Sequence, residues 1–299
     1  MLEIGFLEFN VIKTCNMNCK GCDHFSTLFD SPNIIPIDLF KKDLSRMKDL
    51  GIDRIRTISL LGGEPLLVSN LEEYVNVSKS IYPDAKIEIR TNGILLLKMS
   101  EALIDSLRDY NVKLIISLYP NMKTKKRKMH RFLKKKGIIH VFLVFKEQFC
   151  KVLSEESNQK DLRKYCICGS PTLEQGKLYT CPVSAFIYKL NDRFGYSFPD
   201  NSGIDIYSEN IKGEEICEYL QKPIQLCEYC CREEMSVFKW ECNYKSRVEV
   251  SDWIMQPDDE KMYDFRNKRS NAYISALRRD DRLNRIRSKI SRIIKEGIG

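Results

Sequence analysis

Residues 5–26 read GFLEFNVIKTCNMNCKGCDHFS, and the fold is decided by what this stretch places side by side. Residues 5–13 read as a β-strand. Immediately after it, Cys15, Cys19 and Cys22 follow one another with the spacing C-x3-C-x2-C. The cysteines therefore occupy a loop at the carboxyl end of a first strand. In a parallel α/β fold that end is where ligands bind. Three thiolates can hold three irons of a [4Fe–4S] cube and leave the fourth iron open to a chelating ligand. The spacing by itself also suits a zinc loop.

Outward from this stretch, strand-like and helix-like segments alternate. Residues 38–50 have helical spacing, opened by Asp38 and closed by Gly51. A strand at 54–61, a helix near 70–81, a strand at 86–91, a helix near 99–109 and a strand at 112–118 follow. A basic helix near 123–136 then leads to a strand at 138–145. Such alternation implies a parallel sheet with right-handed crossovers. It stops near residue 150, too soon for eight units, so the expected fold is α/β: a partial (β/α)6 TIM-like barrel over 1–150. From about residue 165 cysteines and turn glycines become frequent, predicting a small cysteine-rich domain over 151–245. Residues 246–299 form a tail with a basic amphipathic helix.

Three later motifs fall at strand carboxyl ends. Gly62-Gly63-Glu64-Pro65 follows the second strand, Thr91-Asn92-Gly93 the third, and Ser117 ends the fourth. Two glycines let backbone approach a ligand closely, and a carboxylate at Glu64 suits an ammonium. With the three cysteines, these motifs resemble the radical S-adenosylmethionine (radical SAM) superfamily. The resemblance implies a catalytic [4Fe–4S] cluster on Cys15, Cys19 and Cys22, with S-adenosylmethionine on the open iron. Contacts to that cofactor would come from Gly62, Gly63, Glu64, Pro65, Thr91, Asn92 and Ser117. It also implies an electron donor such as flavodoxin or ferredoxin. One position departs from the pattern: the residue before the third cysteine, commonly aromatic, is Gly21, leaving His24 or Phe25 to supply that contact.

Nine further cysteines follow. Cys168 and Cys181 flank a hairpin with Gly176 at its turn, and Cys227 and Cys230 form a C-x2-C; these four can converge on one site. The arrangement resembles the twitch domain, a shortened SPASM domain with one auxiliary [4Fe–4S] cluster. It is similar to the group containing 2-deoxy-scyllo-inosamine dehydrogenase and aminoglycoside-modifying radical SAM enzymes. Structural zinc accepts the same four ligands, and Cys166 and Cys231 are near enough to exchange with Cys168 and Cys230. Of Cys150, Cys217 and Cys242, Cys242 is the candidate hydrogen-atom donor to a substrate radical; a small buried hydrophobe is the plainer role for each.

Bulk properties narrow the class. The 299 residues are 43% hydrophobic, enough for a core. Neither a signal peptide nor a transmembrane run is visible, and clustered thiols then fit metal in a reducing cytoplasm. Residues 266–299 carry 11 Lys/Arg against 3 Asp/Glu, which accounts for the whole net charge of +8. This tail suits an anionic inner-membrane surface or a partner protein; with Tyr273 its one aromatic, it suits nucleic acid poorly. The nine Lys/Arg of 123–136 could bind a substrate phosphate or form a solvated helix face.

The expected function is abstraction of hydrogen from a sugar, nucleotide sugar or sugar-like small molecule, leading to oxidation, epimerisation or dehydration. Two other readings compete. One is maturation of ribosomal peptides, although a first strand within five residues of the start leaves no room there for a leader-binding domain. The other is a non-catalytic metal-binding regulator, which would need neither GGEP nor TNG.

Overall fold

The computed structural model describes residues 1–143, 147–157, 170–231, 234–242 and 247–263. Its centre is an eight-stranded sheet. Five strands come from the first half: β2 (Leu7–Ile12), β4 (Thr57–Gly62), β5 (Lys86–Thr91), β6 (Lys113–Ser117) and β7 (Ile139–Leu143). They pair in that order, all parallel. Helices α1 (Ile37–Asp49), α2 (Leu71–Ile81), α3 (Glu101–Asp109) and α4 (Lys126–Lys135) form the crossovers. The sheet is open, the architecture of a partial barrel.

Local chemistry explains the element ends. The α1 backbone starts after Pro36, places Asp38 in the first turn, and ends before Gly51, whose φ of 82° costs glycine nothing. Ser100 caps α3 by accepting a hydrogen bond from Leu103 N at 3.1 Å. Every residue of β2 is buried, as expected of a strand covered on both faces.

The structure differs from the sequence reading in two places. The strand expected at 54–61 is two: β3 (Ile52–Ile55) pairs with β1 (Leu2–Ile4) in a separate sheet, and β4 starts at Thr57. The break falls at Arg56, an exposed side chain paired with Glu3. The sixth parallel strand of the main sheet does not come from the first half. It is β9 (Thr172–Glu174), on the outer side of β2, with Glu8 opposite Thr172 and Phe9 opposite Leu173. β10 (Lys177–Tyr179) and β11 (Ile204–Asp205) extend that edge antiparallel. The segment assigned to a second domain thus shares hydrogen bonds with the barrel.

The remaining described strands cover the sheet's carboxyl end. β8 (Gln148–Cys150), β12 (Glu234–Lys239) and β13 (Lys261–Tyr263) make an antiparallel sheet, with β12 between the other two. Helix α5 (Pro182–Phe194), capped by Cys181 and ended by Gly195, packs Phe186 and Leu190 with Phe25, Phe29, Val152, Leu153 and Trp253 in a second apolar core. Helix α6 (Gly213–Tyr219) packs by β1. No described helix is long and apolar enough to cross a membrane. The basic helix expected within 266–299, and Cys166 and Cys168, lie outside the described residues.

Candidate active site

A cavity of about 280 Å³ opens at the carboxyl end of the parallel strands. Cys15, Cys19 and Cys22 line it, together with Gly62, the last residue of β4, and Gly63; Thr91, the last residue of β5, and Asn92; Ser117 at the end of β6; and Leu143 at the end of β7. The order of motifs along the chain thus becomes one wall in space, because parallel strands align their carboxyl ends.

The glycines fix the loop that carries the cysteines. A Cβ on Gly62 would stand 2.0 Å from Ile12 O, and one on Gly63 would stand 1.9 Å from Thr14 O and 2.6 Å from Cys15 N. Gly63 N donates to Ile12 O at 2.9 Å, and Glu64 N to Thr14 O at 3.1 Å. The cysteine loop therefore lies directly on the GGEP backbone.

Glu64 is fully buried, and its carboxylate is taken up by the protein. Oε1 accepts from Thr91 Oγ1 at 2.7 Å and from Leu66 N at 3.0 Å; Oε2 accepts from Asn92 N at 2.8 Å. Burial pushes its carboxyl up to about 7 against the pull of these donors. Neither Glu64 nor Pro65, both expected as cofactor contacts, is on the cavity wall, whereas Gly62 and Gly63 are. Glu64 works as a clamp between the second and third motifs. Asn92 passes that constraint on: its Nδ2 donates to Asn16 Oδ1 at 2.8 Å and lies 3.6 Å from Cys15 Sγ.

The thiols themselves fit a cationic cluster. Burial raises Cys15 to about 12, with Glu64 and Cys22 adding to the rise. Cys19 is pushed up further, first by its hydrogen bond with Cys242, then by burial and by Cys22. Cys15 and Cys19, whose ionisation is opposed by burial and by the neighbouring Cys22, are stable as thiolates only around positive metal. Trp240 Nε1 donates to Cys19 Sγ at 3.1 Å, the kind of hydrogen bond to sulfur that tunes an iron–sulfur centre.

Aromatic side chains close the opposite wall. Tyr119 and Phe149 line the cavity, with ring centroids 6.1 Å apart, and Trp240 lies 5.2 Å from Tyr119. Gly21 has φ 61°, and a Cβ there would meet Phe238 Cζ at 2.8 Å and Asp252 O at 2.9 Å. The aromatic missing from the cysteine loop is thus matched by a ring delivered from β12. Phe25 does not fill that place; it is buried against Trp253, with centroids 5.7 Å apart. His24 does line the cavity.

The expected hydrogen donor is displaced. Cys242 pairs with Cys19 across an isolated β-bridge, donates to Met17 O at 3.4 Å, and is not on the cavity wall. Residues 240–242 run beside the cysteine loop, with Lys20 N donating to Glu241 O at 3.0 Å. Among the described residues, the further cysteine that lines the cavity is Cys150, on β8. Cys217 packs on the rim of the main core.

A second thiol group lies apart from the first. Cys181, at the start of α5, is half-buried and raised to about 11, first by desolvation, with Cys230 and Cys227 adding to the rise. Tyr219 is raised mainly by burial, with Cys181 and Cys227 also contributing. Cys227 and Cys230, two further expected auxiliary ligands, thus lie near enough to Cys181 to oppose its ionisation. Cys231 is turned elsewhere, its Sγ 3.0 Å from Met255 Sδ.

The basic residues of 123–136 are absent from the described cavity wall. Lys123 pairs with Glu147, Lys136 with Glu101, and Lys126 lies over the Phe142 ring. The phosphate role expected of this segment passes to its alternative, a solvated helix face.

Residues 9–143 match the family model described as the Radical SAM superfamily. The chain is similar to GTP 3′,8-cyclase of Helicobacter pylori, 32% identical over 114 residues, covering 37% of this chain and 35% of that protein. A putative protein YfkA of Bacillus subtilis is 40% identical over 76 residues, 25% of this chain and 19% of its own length. The chain thus spans about a third or less of the length of these curated relatives. Among solved structures, BtrN in complex with AdoMet and 2-DOIA is 19% identical, with a TM-score of 0.49 over 76% of this chain and 92% of its own. anSMEcpe with bound AdoMet has a TM-score of 0.38 at 16% identity, over 47% of this chain and 43% of its own.

Proposed function

We propose that this chain is a radical SAM enzyme acting on a sugar or sugar-like small molecule, with a twitch-type auxiliary [4Fe–4S] cluster beside the catalytic one. The observation that carries the reading is the convergence of Cys15, Cys19 and Cys22 with Gly62, Gly63, Asn92 and Ser117 on one cavity at the strands' carboxyl ends. These residues fit the cofactor pair: three thiols for a cluster, and a backbone wall without side chains for its ligand. S-adenosylmethionine bound there supplies a 5′-deoxyadenosyl radical, the reagent that removes a hydrogen atom from a substrate carbon.

The protein's part is positioning and protection. Gly62 and Gly63 let the cysteine loop rest on the second strand's end. Glu64 and Asn92 hold that loop to the third strand. Tyr119, Phe149, Cys150 and Leu143 give the cavity an apolar side, which keeps water from a reactive carbon centre. Cys181, Cys227 and Cys230, with Cys168 as fourth ligand, hold the auxiliary cluster. Being fully ligated, that cluster relays electrons or supports the fold and does not bind S-adenosylmethionine. The reductant is a small electron carrier such as flavodoxin or ferredoxin, the compartment the cytoplasm, and residues 266–299 dock the enzyme on a membrane surface or a partner protein.

Anaerobic reduction of the iron-loaded chain with S-adenosylmethionine tests this reading. Formation of 5′-deoxyadenosine by the wild type, and its loss in Cys15→Ser, Cys19→Ser and Cys22→Ser, is expected. An iron-loaded, reduced wild type that forms none overturns it.

A further inference from the structure

Among the described residues, six buried side-chain atoms have no hydrogen-bond partner, and three of them belong to residues lining the active-site cavity: Glu8 Oε2, His24 Nε2 and Ser26 Oγ. Buried polar groups are almost always satisfied, so a cluster of exceptions calls for a missing partner. Glu8 and Ser26 are 4% and 3% exposed. His24 Nε2 faces Glu8 Oε2 at 3.7 Å, an ion-pair contact too long for a full hydrogen bond, while its Nδ1 is held by Asp23 Oδ1 at 3.0 Å. The ring is thus oriented by one carboxylate and presents its other nitrogen beside a second.

We infer that Glu8, His24 and Ser26 form the substrate subsite of this cavity and take a hydroxyl-bearing carbon of an unphosphorylated polyol or amino sugar. The inference rests on the function proposed above and narrows its substrate. A hydroxyl is both donor and acceptor, so one such group can donate to Glu8 Oε2 while accepting from His24 or Ser26. An apolar group would leave all three atoms unsatisfied. A phosphate would meet the carboxylates of Glu8 and Asp23 on this side. Arg90, which does line the wall, is held by Glu88 at 2.7 Å, and the basic residues of 123–136 are engaged elsewhere or absent from the wall. Cys15, Cys19 and Cys22 line the same cavity, so a bound carbon shares the compartment in which the radical reagent forms.

The test is calorimetric titration of the full chain, iron-loaded and with S-adenosylmethionine present, using glucose, glucosamine, glucose 6-phosphate and GTP as probes. Glucose or glucosamine should bind, and more tightly than either phosphorylated probe. Glu8→Gln should weaken that binding at least tenfold, and Ser26→Ala should weaken it severalfold. Thermal unfolding separates ligand contact from support of the fold: Ser26→Ala removes an atom with no partner, so its midpoint should match or exceed the wild type's. Binding by none of the probes, equal or tighter binding of glucose 6-phosphate or GTP, unchanged affinity in both variants, or a lowered midpoint in Ser26→Ala overturns the inference. Glu8-dependent sugar binding in a chain that forms no 5′-deoxyadenosine would leave this subsite standing and remove the radical reading instead.

Discussion

Replacing Gly63 by alanine places one methyl group where the structure has no room. The added Cβ would stand 1.9 Å from Thr14 O and 2.1 Å from Thr14 C, whereas ordinary contact begins near 3.4 Å. Both atoms are backbone, so no rotamer change relieves the overlap. The strand end and the cysteine loop must separate by about 1.5 Å, the difference between those distances. That movement breaks the bonds from Gly63 N to Ile12 O and from Glu64 N to Thr14 O, and shifts Cys15, whose amide is next in line. A misplacement of about 1 Å in a catalytic assembly can cost about 100-fold in rate. Gly63→Ala should therefore lose at least that in 5′-deoxyadenosine formation and drop from about eight irons per chain to about four, retaining the auxiliary cluster. Gly5→Ala is the control, because its Cβ meets the flexible end of Arg56, 3.0 Å away, outside the site. The assays are anaerobic reconstitution with iron and sulfide analysis, then product quantitation. A Gly63→Ala chain with wild-type iron and a rate within about threefold of the wild type would refute the claim that this contact sets the loop.

Other consequences follow from the same contacts. Glu64→Ala leaves Leu66 N, Asn92 N and Thr91 Oγ1 without their buried acceptor, and at about 1–3 kcal/mol for each such group it should be among the most destabilising substitutions in denaturant unfolding. The Glu64 carboxyl is raised from 4.5 to about 7, so its contribution to stability is full below pH 4.5 and is lost as pH rises through 7. Relative to Glu64→Gln, the wild type should lose about 3 kcal/mol of unfolding free energy between pH 4.5 and 8; parallel pH profiles would contradict this. Trp240→Phe removes the indole N–H from Cys19 Sγ, and a hydrogen bond worth about 1 kcal/mol should make the catalytic cluster's potential about 40 mV more negative in a redox titration followed by EPR. Serine at Cys181, Cys227 or Cys230 should remove about four irons and leave the signal of the other cluster intact.

Much of the barrel was legible because its strands are short apolar runs and its helices carry amphipathic spacing with recognisable ends. The runs at 86–91 and 112–118 become β5 and β6 almost unchanged. β9 left no such trace: three residues cannot show a period, and its parallel partner, β2, lies more than 160 positions earlier. The cysteines and glycines of the site were legible because their chemistry is local in sequence. The covering wall was not, since Phe238 and Trp240 reach Gly21 and Cys19 only through the fold. Gly21 looked like a missing aromatic for that reason. Glu8 did leave a signal. A carboxylate within a strand otherwise built for burial, LEFNVI, marks a position where a polar group is kept inside for a purpose.

The account stands on an open iron at the cluster held by Cys15, Cys19 and Cys22. EPR of the anaerobically reconstituted, reduced chain, recorded before and after addition of S-adenosylmethionine, tests this most directly. A change in the cluster signal, absent in Cys15→Ser, together with 5′-deoxyadenosine in the same sample, is the predicted result. A reduced cluster whose spectrum S-adenosylmethionine leaves unaltered, or a colourless zinc protein, would contradict it.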